Sequence, residues 1–128
     1  MPVRRVVIDH MSVGVSDLPR SIEFYTRALE PLGFVPMGPW HEGARSMAFG
    51  PEDLDDFAVS LDYPVGAGVH VCFAADTQEQ VDAFHAAALA AGGVDHGAPG
   101  ARPEYSKGYY GAFVLDPDGH NVEAVHHG

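Results

Sequence analysis

Positive charge is scarce in this 128-residue chain: seven Lys and Arg stand against eighteen Asp and Glu, for a formal net charge of −11. Such a surface repels a phosphate backbone instead of neutralising it, which excludes nucleic acid as an expected partner. Cysteine is scarcer still. Cys72 alone cannot build an internal disulfide or a multi-cysteine zinc cage, and within a β-rich run it reads as a small buried hydrophobe. No apolar run reaches about 18 residues and no basic patch leads into one at the N-terminus, so neither membrane nor secretion is signalled and a cytoplasmic protein is expected.

What is present suits one compact domain over residues 1–128, with 46% hydrophobic residues to fill a core. Ten Pro and fifteen Gly are scattered between apolar runs as turn formers and make no low-complexity block. Eight His stand out, because imidazole is a common metal ligand and titrates near neutrality.

The chain reads as a duplication. Val6 to Val15 is a β-rich alternating run that ends at Ser16-Asp17, residues suited to capping a helix whose stripe is Leu18, Ile22, Tyr25 and Leu29, with Gly33 as the stop. The second half repeats this: Val69 to Ala75 as a strand, Asp76 and Glu79 at capping-box spacing, and a stripe of Val81, Phe84, Ala88 and Leu89 before Gly92-Gly93. An offset of sixty superposes His10 on His70, Phe24 on Phe84, Ala28 on Ala88, Leu29 on Leu89 and Gly33 on Gly93. Shorter β-like runs follow each helix: 34–36, 45–49 and 57–61, then 94–96, 109–115 and 121–126. Asp116-Pro117-Asp118-Gly119 supplies a type I turn between the last two. The expected fold class is α+β, two βαβββ modules spanning about 6–63 and 68–126.

Strand parity sorts the polar residues. Met11, Val13 and Val15 share one face, and His10, Ser12 and Gly14 the other. Val71, Phe73 and Ala75 oppose His70, Cys72 and Ala74, while Val122 and Ala124 oppose Asn121, Glu123 and Val125. If the apolar sets pack on the helices, His10, His70 and Glu123 all lie on the faces turned away from them. Two imidazoles and a carboxylate suit a borderline divalent cation with coordination positions left open. Structural, hydrogen-bonded histidines are the open alternative.

These residues carry a family likeness. IDHMSVGVSDLPRSIEFYTRALEPLGF, GVHVCFAADTQEQVDAF and GAFVLDPDGHNVEAV together resemble the vicinal oxygen chelate superfamily, which includes glyoxalase I, fosfomycin-resistance transferases, extradiol dioxygenases and bleomycin-resistance proteins. The resemblance implies mixed sheets forming a cupped, incomplete barrel with helices outside. It also implies a divalent ion (Zn, Fe(II), Mn or Ni) on His10, His70 and Glu123, a small-molecule substrate, and a homodimer. Ser60 falls where glyoxalase I carries a second glutamate, with Asp62 one repeat further on the same face. The resemblance therefore implies a metal-dependent lyase, transferase or dioxygenase other than glyoxalase I itself, acting on a small oxygenated or thiol-conjugated compound. The alternative it leaves is a non-catalytic drug-binding protein of bleomycin-resistance type.

Tyr105, Tyr109 and Tyr110 lie in a loop running into a strand and are candidates for a pocket wall; Tyr105 and Tyr110 are taken with Glu123 as candidate catalytic groups. Arg45, Arg102 and Lys107 are the plausible cations near a pocket. Trp40 and His41 belong to a Gly- and Pro-bounded loop, His85 is expected to be solvated and His120 structural or exposed. His126 and His127 read as a frayed terminus.

Overall fold

The computed structural model describes residues 8–52 and 54–128, so Val6 and Val7 of the expected opening strand lie outside the described residues. The first module comprises β1 (Met11–Gly14), α1 (Leu18–Leu29), β2 (Val35–Gly38), β3 (Ser46–Gly50) and β4 (Phe57–Ser60), and the second β5 (His70–Ala74), α2 (Gln78–Ala90), β6 (Val94–Ala101), β7 (Tyr109–Leu115) and β8 (Asn121–His127). Each module makes one mixed four-stranded sheet, in the orders β1-β4-β3-β2 and β5-β8-β7-β6. In both, the first strand pairs in parallel with the last, and the remaining pairs are antiparallel. Neither sheet closes into a barrel, and the two βαβββ units repeat one another as the offset of sixty implies.

The caps follow local chemistry. Asp17 caps α1 by accepting from the Arg20 amide at 3.1 Å. The cap of α2 is Thr77, one residue later than the Asp76 expected, because the Thr77 hydroxyl accepts from the Gln80 amide while the Gln80 side chain accepts from the Asp76 amide. A 3₁₀ turn at Glu30–Leu32 prolongs α1, and Gly33 ends it in the left-handed region at φ 84°. On α1 the deepest residues are Phe24, Tyr25, Ala28 and Leu29, so the buried stripe is rotated towards Phe24 and Ala28, away from Leu18 and Ile22.

One hydrophobic cluster draws on both modules, with Val13, Phe24, Phe49 and Phe57 from the first and Val71, Phe73, Val81 and Phe84 from the second. Phe73 meets Phe57 and Phe34 edge-on at 5.2 and 5.6 Å. A polar tie reinforces the contact. The Asp116 carboxylate is buried and accepts from the Tyr25 hydroxyl at 2.5 Å, from His120 Nδ1 at 2.7 Å and from the amides of Asp118 and His120. His120 is therefore structural and buried, not exposed. His85 is also not solvated: its ring is largely covered and bonds to Asp95 of β6 at 3.0 Å. Nor do the last histidines fray, because β8 pairs with β7 as far as Tyr109 and His127, and His126 bonds to the Ala75 carbonyl.

β6 runs five residues beyond the expected 94–96, although its Gly-Ala-Pro-Gly stretch has little strand propensity. Register shifts between Asp95 and Gly97 and between Gly97 and Gly100 absorb the irregularity.

Candidate metal and ligand site

The face of the second sheet turned away from α2 gathers polar groups from three strands. In the parallel register of β5 and β8, His70 lies beside Asn121 and Cys72 beside Glu123; across β8 and β7, Glu123 is opposite Phe113 and His127 opposite Tyr109. Glu123 is only 2% exposed. Its Oε2 accepts from the Tyr109 hydroxyl, and its Oε1 lies 3.1 Å from His70 Nε2.

The tautomer of His70 follows from its other nitrogen. Nδ1 is 3.1 Å from the Asn121 carbonyl oxygen, which can only accept, so Nδ1 carries a proton. In a neutral imidazole Nε2 is then an acceptor facing an acceptor carboxylate. Something positive between them, a proton or a cation, resolves that opposition. A histidine oriented through its second nitrogen by a carbonyl is also the arrangement that presents a ring nitrogen to a metal. The Asn121 side-chain oxygen is buried and has no hydrogen-bond partner among the described residues. Gly111 leaves room at the carboxylate, since a Cβ there would lie 3.1 Å from Glu123 Oε2 and 3.1 Å from Tyr109 Cε1.

Cys72 is not the core hydrophobe expected from its strand. It sits on this face next to Glu123 and is partly exposed, and burial of its sulfur, followed by the Glu123 charge, pushes the thiol far above its ordinary range. Tyr109 is shifted upward as well, by burial first and its hydrogen bond to Glu123 second.

Of the three expected tyrosines, two share this face. Tyr105 is exposed and packs edge-on against Tyr109 at 5.1 Å. Tyr110 does not belong here: strand alternation turns it to the helix side, where its hydroxyl donates to Asp82 of α2 at 2.6 Å. Tyr109, set on the Glu123 face by the β7–β8 register, is the tyrosine that reaches the carboxylate.

His10 precedes β1 on the other sheet. It is exposed, and Nδ1 lies 2.9 Å from Asp9, which raises its pKa chiefly through that hydrogen bond. Among the described residues no three ligating side chains of one chain gather around a point, so His10 does not join His70 and Glu123 within the chain. Ser60 is engaged elsewhere: its buried hydroxyl donates to the Arg45 carbonyl and accepts from the Asp62 amide. Asp62 in turn holds Arg45 at 2.8 Å. Trp40 packs on Tyr63 at 6.1 Å, and His41 is exposed, its ring bonding to the Glu42 carbonyl. No described helix is long and apolar enough to cross a membrane.

Comparison with known proteins places these features in context. The model of the Glyoxalase/Bleomycin resistance protein/Dioxygenase superfamily matches residues 7–124. A glyoxalase/bleomycin resistance protein from Albidiferax ferrireducens T118 is 34% identical, with a TM-score of 0.80 over 94% of this chain and 99% of that one. A glyoxalase/bleomycin resistance protein/dioxygenase family enzyme from Burkholderia phytofirmans PsJN (19% identity, TM-score 0.70, 94% of this chain and 98% of that one) shares the fold. So does a glyoxalase-related enzyme from Fulvimarina pelagi (20%, 0.68, 97% and 88%). No curated protein matches the chain.

Proposed function

Because this chain belongs to the Glyoxalase/Bleomycin resistance protein/Dioxygenase superfamily, we propose that it is a metal-dependent enzyme acting on a small oxygenated or thiol-conjugated metabolite. His70 and Glu123 hold the ion, and His10 of a second copy of the chain completes the set. The observation that carries this reading is the facing pair of acceptors, His70 Nε2 and Glu123 Oε1 at 3.1 Å, on a buried carboxylate. Two imidazoles and one carboxylate fit zinc, iron(II), manganese or nickel. Such an ion supplies Lewis-acid polarisation to the oxygens of a bound ligand.

The chain's own residues do the rest. The Asn121 carbonyl fixes the His70 tautomer, and the Tyr109 hydroxyl orients Glu123 by occupying Oε2, leaving Oε1 turned towards His70. Phe113, Tyr105 and Tyr109 give the face an aromatic wall, and Phe113 stacks with the His70 ring at 6.1 Å. The second copy is supported by the exposure of Ile8 and Met11 on either side of His10, and by β1 and β5 both lying at sheet edges. A homodimer that is soluble in the cytoplasm is the setting this reading assumes.

The aromatic wall also favours a second reading, a non-catalytic binding protein of bleomycin-resistance type. Metal analysis of protein purified without chelator separates the two. Stoichiometric metal in the wild type that is lost in His70→Ala supports the enzyme; negligible metal in both transfers the weight to the binding protein.

A further inference from the structure

Arg102 is placed for a task that the His70–Glu123 pair does not explain. It follows β6 directly, its amide donates to the Tyr109 carbonyl at 2.8 Å, and its side chain folds back over the strand. Nη2 donates to the Ala98 carbonyl at 2.8 Å, and Cζ lies 5.6 Å from the centroid of the Phe113 ring. Two glycines make that path possible. A Cβ at Gly97 would come within 3.3 Å of Nη2 and 2.9 Å of Phe113 Cδ1, and one at Gly100 within 3.3 Å of Nη1. Because Phe113 is opposite Glu123 and stacks with His70, the guanidinium shares one phenyl ring with the imidazole of the proposed metal site.

Among the described residues the charge of Arg102 has no counterpart. Arg27 pairs with Glu23 and Arg45 with Asp62, but among the described residues no carboxylate pairs with Arg102, which unlike the equally unpaired Arg20 and Lys107 is partly covered, in a chain whose net charge is −11. Of the five N–H donors in the guanidinium fork, the bond to Ala98 uses one. A fork already held against an aromatic ring loses little freedom when a planar oxyanion docks on it.

We propose that Arg102 is the anion anchor of this site, so that the ligand carries a carboxylate or phospho group at the end remote from the oxygens directed at His70 and Glu123. The inference rests on the reading that ligands bind on this face, and it narrows their class to organic anions. Of the other two cations singled out from the sequence, Arg45 is held by Asp62, and Lys107 lies exposed in the turn before β7, without the strand and ring contacts that fix Arg102 among the described residues.

The test uses three probes that share adjacent ring hydroxyls: 3,4-dihydroxybenzoate, 3,4-dihydroxyphenylphosphonate and the neutral 3,4-dihydroxybenzamide. Each is titrated calorimetrically into wild type, Arg102→Gln and Arg102→Lys, with zinc and with EDTA, after circular dichroism has shown the variants folded. The wild type should prefer one anionic probe over the amide by about tenfold or more. Whichever of the two anions it prefers identifies the group. Arg102→Gln should erase the preference, and Arg102→Lys, which keeps the charge but not the fork, should retain part of it. Equal affinity for all three probes, or an unchanged preference in Arg102→Gln, overturns the proposal. Failure of the metal reading looks different: zinc and EDTA would then give the same affinities while the preference for the anion stays dependent on Arg102.

Discussion

The Tyr25 hydroxyl of α1 donates to the carboxylate of Asp116 in the β7–β8 turn, 2.5 Å away, joining the two halves of the chain through a buried polar bond. Both residues are almost wholly covered, and at the surface the Ser16 hydroxyl adds a second tie to the Asp118 carboxylate, also at 2.5 Å. Tyr25→Phe keeps the ring contacts with Phe24 and Phe57 but leaves the Asp116 carboxylate one donor short. Loss of a hydrogen bond to a buried acceptor costs about 1–3 kcal/mol, which urea unfolding of the variant should register as a lower midpoint with an unchanged slope.

The same bond sets an alkaline limit. Burial, followed by the neighbouring Asp116 charge, raises the Tyr25 pKa well above its ordinary 10.0. A group whose folded pKa is raised contributes stability that is fully present below its unfolded value and is lost as pH climbs through the folded one. The melting temperature should accordingly fall as pH rises beyond about 10, and Tyr25→Phe should fall less steeply. Parallel curves for the two proteins would show that Tyr25 carries none of the effect.

Gly111 is the glycine that lies against the Glu123 carboxylate. An added methyl would press on both Glu123 Oε2 and Tyr109, whereas the strand around it stays paired to β8. Gly111→Ala should weaken metal binding by about tenfold or more, since supporting contacts are worth 10–100-fold in affinity. Its melting temperature should move far less than its metal affinity, measured by competition with a chromogenic chelator.

Ser60 leads to a negative expectation. With its hydroxyl bonded to Arg45 and Asp62, the first module offers no carboxylate at the position where glyoxalase I has one. The hemithioacetal of methylglyoxal and glutathione should not be isomerised, whichever metal is supplied. A spectrophotometric assay of thioester formation checks this, and rapid turnover would contradict it.

Much of this arrangement was legible in the residues. The sixty-residue offset gave both βαβββ units, and strand parity put His70 and Glu123 on one face, because side-chain alternation depends only on the backbone. Parity gave a face and no distance, however, so it could not separate Tyr109 from Tyr110 until the register across the β7–β8 turn was known. His10 satisfies the same parity yet lies on a separate sheet, a matter of how two sheets sit and not of local pattern. Parity set Cys72 on the His70 face, but its residue type and apolar neighbours still read as burial, and the exposure of that face was not in the local pattern. The burial of His120 depended on Tyr25 and Asp116 meeting across 91 positions, which no local signal encodes.

The proposed metal site draws His70 and Glu123 from one chain and His10 from a second copy. Metal content after equilibrium dialysis of mixed variants tests it most directly. His10→Ala and Glu123→Ala, each dialysed alone, should hold little metal. Unfolded and refolded together, they should regain a substantial fraction, because a mixed pair rebuilds one intact site from the wild-type His10 of one chain and the His70 and Glu123 of the other. A mixture that holds no more metal than its separate components, while the wild type stays loaded, would contradict the account.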